Sequence, residues 1–106
     1  MNFFKTVMQV VLLFVCSSVF AEQQVLQFWE PNDVGFLADD REFAITEYTV
    51  VQTYGNDDER LYFGSLKEGD WILVTFDIVG TGRQRLASKI EILPNESVAS
   101  EIRDTL

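Results

Sequence analysis

The segment from Trp71 to Leu93 constrains the fold most. Trp71–Val79 and Arg83–Leu93 are two runs dense in β-branched and large apolar residues, separated by Gly80-Thr81-Gly82. Two β-forming runs flanking a glycine-rich turn predict an antiparallel hairpin. If Gly82 takes the left-handed conformation of a three-residue loop, Val79 stands opposite Arg83. That register sets Phe76 against Leu86, Val74 against Ser88 and Ile72 against Ile90 on one face. The other face then pairs Asp77 with Arg85, Leu73 with Lys89 and Trp71 with Glu91. A slip by one residue would oppose Asp77 to Leu86 or Phe76 to Arg85, so side-chain chemistry favours the unslipped pairing.

The rest of the chain carries the same punctuation. Val25–Glu30 reads as a strand stopped by Pro31-Asn32-Asp33, and Asp39-Asp40-Arg41 as a turn between strands at Phe36–Ala38 and Glu42–Thr46. Tyr48–Tyr54 is dense in β-branched and aromatic residues, Gly55–Glu59 is a polar loop, and Leu61–Phe63 is a short strand at best. Pro94 ends the last strand, and Asn95–Leu106 is a polar tail with Val98 and Ile102 four apart, a spacing that suits a helical turn. Short strands of this kind predict an all-β domain over residues 22–93, a five- or six-stranded barrel of OB or SH3-like type, because an open sheet this small leaves unpaired edges. Residues 94–106 form a tail outside it.

Residues 1–21 read as a cleaved N-terminal signal helix. Lys5 supplies the positive start, Val7–Val15 is apolar apart from Gln9, and Ser17-Ser18-Val19-Phe20-Ala21 ends on a small residue. Cleavage before Glu22 is expected, with a periplasmic or secreted product. The apolar stretch is short for a span of about 20 residues, so any membrane contact is expected through an uncleaved leader alone. Val15 and Phe14 before Cys16 do not suit lipidation.

Composition narrows the function. The chain carries 17 acids against 8 Lys and Arg, a net charge of −9, one unit more negative once Lys5 is removed, so nucleic acid is not an expected partner. There is no His, and Cys16, Met1 and Met8 all lie in the leader. The remainder lacks the side chains of His- or Cys-dependent catalysis, of Cu(I) and common Zn²⁺ sites, and of disulfides. Asn56-Asp57-Asp58-Glu59 lacks the ligand spacing of a Ca²⁺ loop: Leu61 stands where the central Gly belongs and Lys67 where the closing Glu belongs. The expectation is a non-enzymatic protein without cofactor or metal.

Leu66-Lys67-Glu68-Gly69-Asp70-Trp71-Ile72-Leu73-Val74 resembles the turn and strand of many small secreted bacterial β-barrel domains. Asp39–Ile45 with Thr49–Val51 is similar to their central hairpin, and Ala87–Leu93 to their closing strand. In leader, size and acidic hairpin the chain resembles the small periplasmic accessory proteins of type IV pilus biogenesis, which implies a role in pilus assembly. The OB-type periplasmic copper chaperones are similar in size, but they hold metal with His and Met, which this chain lacks after its leader.

Large apolar groups on both faces of Trp71–Phe76 give the most specific site expectation. Trp71, Leu73, Ala87 and Lys89 fall on the outward face of the predicted hairpin and are the expected partner-binding surface, for an envelope protein or a second copy of the chain. The alternative cover is the tail, folded back through Val98 and Ile102. Arg83, Arg85 and Lys89 form a basic stripe read as structural. An alternative function is the binding of a small ligand, glycan or cation in the mouth of the barrel.

Overall fold

The computed structural model describes residues 21–106, so the expected leader lies outside the described residues except for Ala21. The fold is mostly β: β1 (Glu22–Pro31), β2 (Gly35–Ala38), β3 (Arg41–Ala44), β4 (Val50–Thr53), β5 (Trp71–Val79) and β6 (Gln84–Ile92), followed by helix α1 (Glu96–Thr105). The six strands form one small sheet in the order β3-β2-β1-β5-β6-β4, and a parallel bridge between Ala44 and Leu86 joins β3 to β6. No helix among the described residues is long and apolar enough to cross a membrane.

The main core lies on one side of the sheet. Phe28, Phe36, Phe43 and Phe76 are buried with Ile72, Val74 and Ile90, and Phe63 packs against them from the one-turn 3₁₀ segment Phe63–Ser65; Leu61–Phe63 forms no strand. Phe36 and Phe43, paired across β2 and β3, stack with ring centroids 5.1 Å apart. Phe43 also meets Phe76 edge-on at 5.2 Å, which ties the β2–β3 hairpin to β5.

The long hairpin forms where expected, in a different register. Its connection has four residues, Gly80 to Arg83, and the positive φ values fall at Gly80 (74°) and Arg83 (53°), not at Gly82. Val79 therefore stands opposite Gln84, Ile78 opposite Arg85 and Asp77 opposite Leu86. Between the Phe76–Ala87 and Thr75–Lys89 pairs an extra residue, Ser88, bulges out, and its hydroxyl donates to Thr75 O at 3.2 Å. Beyond the bulge Val74 meets Ile90, Leu73 meets Glu91 and Ile72 meets Ile92. The one-residue longer turn and the bulge together shift the pairing by two. The longer turn puts Ala87, expected to face outward, in the core, while Ile90 stays on the inner side as expected, now opposite Val74.

The predicted Asp77–Arg85 pair is not formed. Arg85 instead lies over the Phe43 ring, 5.9 Å from its centroid.

Helix α1 follows from a local signal. The Asn95 carboxamide accepts the Val98 N–H at 2.9 Å, Glu96 stands in the first turn and Arg103 in the last, as the helix dipole favours. Ala99 and Ile102 close over Val25, Leu73, Leu93 and Trp71, making a second, smaller core on the other side of the sheet. The cover comes through Ala99 and Ile102, not Val98 and Ile102.

Candidate functional site

A bulge and two turns converge at β1 and build a cleft. The first is an irregularity in β1 itself: Phe28 pairs with Ala38 and Glu30 with Leu37, leaving Trp29 as an extra residue in the ladder. A bulged residue leaves the alternation of its strand. Its neighbour Phe28 is buried, whereas Trp29 is 55% exposed.

The second element is the hairpin turn of β2 and β3. Ala38 pairs with Arg41, so Asp39 and Asp40 alone make the connection, with φ of 46° and 62°. A two-residue turn with both φ positive matches the right-handed twist of its strands, and Asp tolerates that conformation better than most residues. Asp39 fixes the turn against β1: its Oδ2 accepts the Gln27 N–H at 3.1 Å and its own N–H donates to Gln27 O at 3.3 Å.

The third is the turn of the Leu66–Asp70 motif. Asp70 N–H donates to Lys67 O at 3.0 Å, Lys67 N–H donates to Asp70 Oδ2 at 2.9 Å, and Gly69 takes a φ of 93°. A glycine with positive φ at the third position of such a turn is what its geometry demands. The Gln27 carboxamide donates to Gly69 O at 3.0 Å, and Phe28 exchanges backbone bonds with Gly69 and Asp70, both at 2.8 Å.

The result is a cleft of about 500 Å³ whose floor is Gln27, Phe28 and Gly69 and whose walls are Trp29, Asp39, Asp40 and Glu68. It combines an exposed indole with three carboxylates. An aromatic face beside negative charge suits an alkylammonium or guanidinium group, which gains from the ring and from the carboxylates together. Among the described residues no group of three or more His, Cys, Asp or Glu side chains is arranged to hold a metal ion.

The residues expected to form a partner surface fall in three different surroundings. Trp71 and Leu73 lie under α1, with the Arg103 guanidinium 5.5 Å from the centroid of the Trp71 ring. Ala87 is in the main core, on the opposite side of the sheet. Lys89 is half-buried, 3.8 Å from both Asp57 and Glu91. The four do not make one exposed surface.

Lys89 belongs to a polar layer that fastens the loop after β4. Gln52, almost wholly buried, donates to Asp57 Oδ1 at 3.1 Å, and the Glu59 carboxylate accepts the Thr53 N–H at 2.8 Å. Hydrogen bonding from Thr53, side chain first and backbone second, lowers the Glu59 pKa. Asp57 and Glu59 are thus bound into the loop's own framework.

Trp29 was not singled out by the sequence, where it is one apolar residue within a strand. The signal available was its position two residues before Pro31, near the end of the strand. Comparison with known proteins brings no match: no family model fits the chain, and neither a curated protein nor a solved structure is similar to it.

Proposed function

We propose that this chain is a non-enzymatic binding module that works outside the cytoplasm, in the periplasm or after secretion, and that its working surface is the Trp29 cleft. The observation that carries this reading is an aromatic side chain held out at a β-bulge, over a cleft walled by Asp39, Asp40 and Glu68. Large exposed aromatics anchor many protein interfaces, and the acidic wall selects a partner presenting Lys or Arg. On this reading the face at Trp71 and Leu73 serves stability, because α1 already covers it.

The finer parts of the proposal have separate supports. A small barrel of OB or SH3-like type is favoured by the Ala44–Leu86 bridge, which links β3 to β6 in addition to the linear strand order. Export and removal of residues 1–21 are favoured by the leader pattern and by β1 starting at Glu22, the first residue after the expected cleavage site. A role as an accessory factor of type IV pilus assembly is the most specific reading, supported by the resemblance of leader, size and acidic hairpin. The partner is then an envelope protein.

The test compares the purified protein with a Trp29→Ser variant, each immobilised and exposed to envelope extract. The expected result is one abundant partner, drawn from the pilus-assembly machinery and retained by the wild type, and lost with the variant at unchanged melting temperature. Equal retention by both removes the cleft as the working surface. Binding of a free glycan or cation in place of a protein, lost with the same substitution, would favour a small-ligand module.

A further inference from the structure

The β5–β6 hairpin projects past the strands beside it. β1 pairs with β5 only from Gln27 opposite Trp71 to Glu22 opposite Phe76, and β3 reaches β6 only at Leu86. Among the described residues, Asp77 to Arg85 therefore form an arm with no flanking strand. Near its end Ile78 and Val79 are each 37% exposed. The turn beyond them holds Arg83 in the left-handed region at φ 53°, a conformation that glycine adopts freely and other L-residues adopt at a steric cost. The backbone there favours glycine, so what arginine adds at this position is its side chain.

Arg83 is also the cation that the fold leaves over. Arg85 lies over Phe43 and Arg103 over Trp71, Lys89 stands 3.8 Å from Asp57 and Glu91, and Arg60 donates to the Asp57 and Glu59 carbonyls. Arg41 shares a groove with Asp39 and Leu106, and Lys67 belongs to the turn that builds the Trp29 cleft. Arg83 has no carboxylate within 4 Å among the described residues. The cleft is its counterpart: no Lys or Arg lines it, and of its three carboxylates only Asp39 is engaged, by the Gln27 N–H. The two lie at opposite ends of β5, the cleft at Gly69 beside Trp71 and the arm beyond Val79. At the rise of an extended strand they are about 26 Å apart, further than an arginine side chain reaches. They can meet only between two molecules.

We propose that the chain, when free of its partner, associates head to tail, the β5–β6 tip of one copy entering the Trp29 cleft of the next. The Arg83 guanidinium lies over the Trp29 ring, between Asp40 and Glu68, and Ile78 and Val79 shield the contact from water. Tip and cleft are different surfaces, so the contact is heterologous: it adds copies in line and does not close a two-fold dimer. The inference rests on the Trp29 cleft being a working surface and names a second occupant for it. The envelope partner competes for the same cleft, so self-association belongs to the protein that has none bound.

The test is sedimentation velocity on the purified protein from micromolar to millimolar concentration. The wild type should sediment as species that grow with concentration and return to monomer in high salt, which screens the ion pairs. Trp29→Ser spoils the cleft, and Arg83→Gly spoils the tip while suiting the turn. Each should weaken association by about tenfold or more at unchanged melting temperature. Mixed in equal amounts, the two variants should form a heterodimer and nothing larger, since one supplies the intact tip and the other the intact cleft. A wild type that stays monomeric at millimolar concentration, association that survives either substitution, or a mixture that stays monomeric overturns the proposal. Retention of the envelope partner is read in parallel: a partner held by the wild type and by Arg83→Gly but lost with Trp29→Ser sustains the cleft even where self-association fails.

Discussion

Phe43 stands edge-on to Phe76 with ring centroids 5.2 Å apart, and the same Phe43 ring stacks on Phe36. One side chain thus joins the β2–β3 hairpin to the central strand β5. All three rings are fully buried, so truncation at Phe43 loses transfer free energy and leaves a cavity. Phe43→Ala should cost about 3–5 kcal/mol in denaturant unfolding. Tyr62→Ala, at an exposed ring, should stay within about 0.5 kcal/mol.

Gly35 is fixed by the approach of β3. A Cβ at that position would collide with Phe43 O and stand 2.9 Å from Ala44 Cα, both backbone atoms of the paired strand. Because neither can move without breaking the ladder, Gly35→Ala should destabilise by about 1–3 kcal/mol, whereas Gly64→Ala, in open space, should change little. Thermal melts of the two variants check this.

Helix α1 is a structural cover, and its loss should be felt in stability. Trp71→Ser with Leu73→Thr strips the second core of two contacts and should lower the melting temperature, as should Ala99→Asp, which buries a charge under the helix. Asn95→Ala removes the cap and should cost about 1 kcal/mol. An unchanged melt for the Trp71/Leu73 variant would show that α1 does not hold this face.

Much of this architecture was readable and some was not, for physical reasons. The turn at Asp39-Asp40-Arg41 declared itself because its backbone geometry admits few residue types, although Arg41 proves to be the first residue of β3. The Leu66–Asp70 turn was legible only through a resemblance. The inner set Ile72, Val74 and Phe76 followed from alternation along β5. The register of β5 and β6 did not, because a glycine-rich turn accommodates three or four residues and Ser88 carries no composition signal for a bulge. The one-residue longer turn moved Ala87 from the outer face to the core, and the bulge then returned Ile90 to the inner side. The helix after Pro94 was underestimated because its apolar contacts are few and small, and only the Asn95 cap and the apolar face of β5 together make it worthwhile. Trp29 escaped notice for the same reason as Ser88: a bulge is set by tertiary pairing.

Acid should loosen the loop after β4. The Glu59 pKa is lowered by hydrogen bonds from Thr53, so the carboxylate stabilises the fold above its unfolded pKa and this contribution is lost as pH falls through the lower folded value. Stability measured across the acidic carboxylate range should decline, and Glu59→Gln should remove part of that decline while wild type and variant converge at the lowest pH. A pH profile unchanged by the substitution would contradict the assignment.

The central claim is that Trp29 is where a partner sits. A photo-activatable benzoylphenylalanine placed at position 29 in the producing cells, with the same residue at Ser100 on the exposed side of α1 as a control, tests it directly. The account predicts one discrete cross-linked envelope protein from position 29, diminished when Asp39 and Asp40 are both changed to Asn, and none from position 100. Adducts from position 100 with none from position 29 would contradict it and move the working surface to the helix side of the sheet.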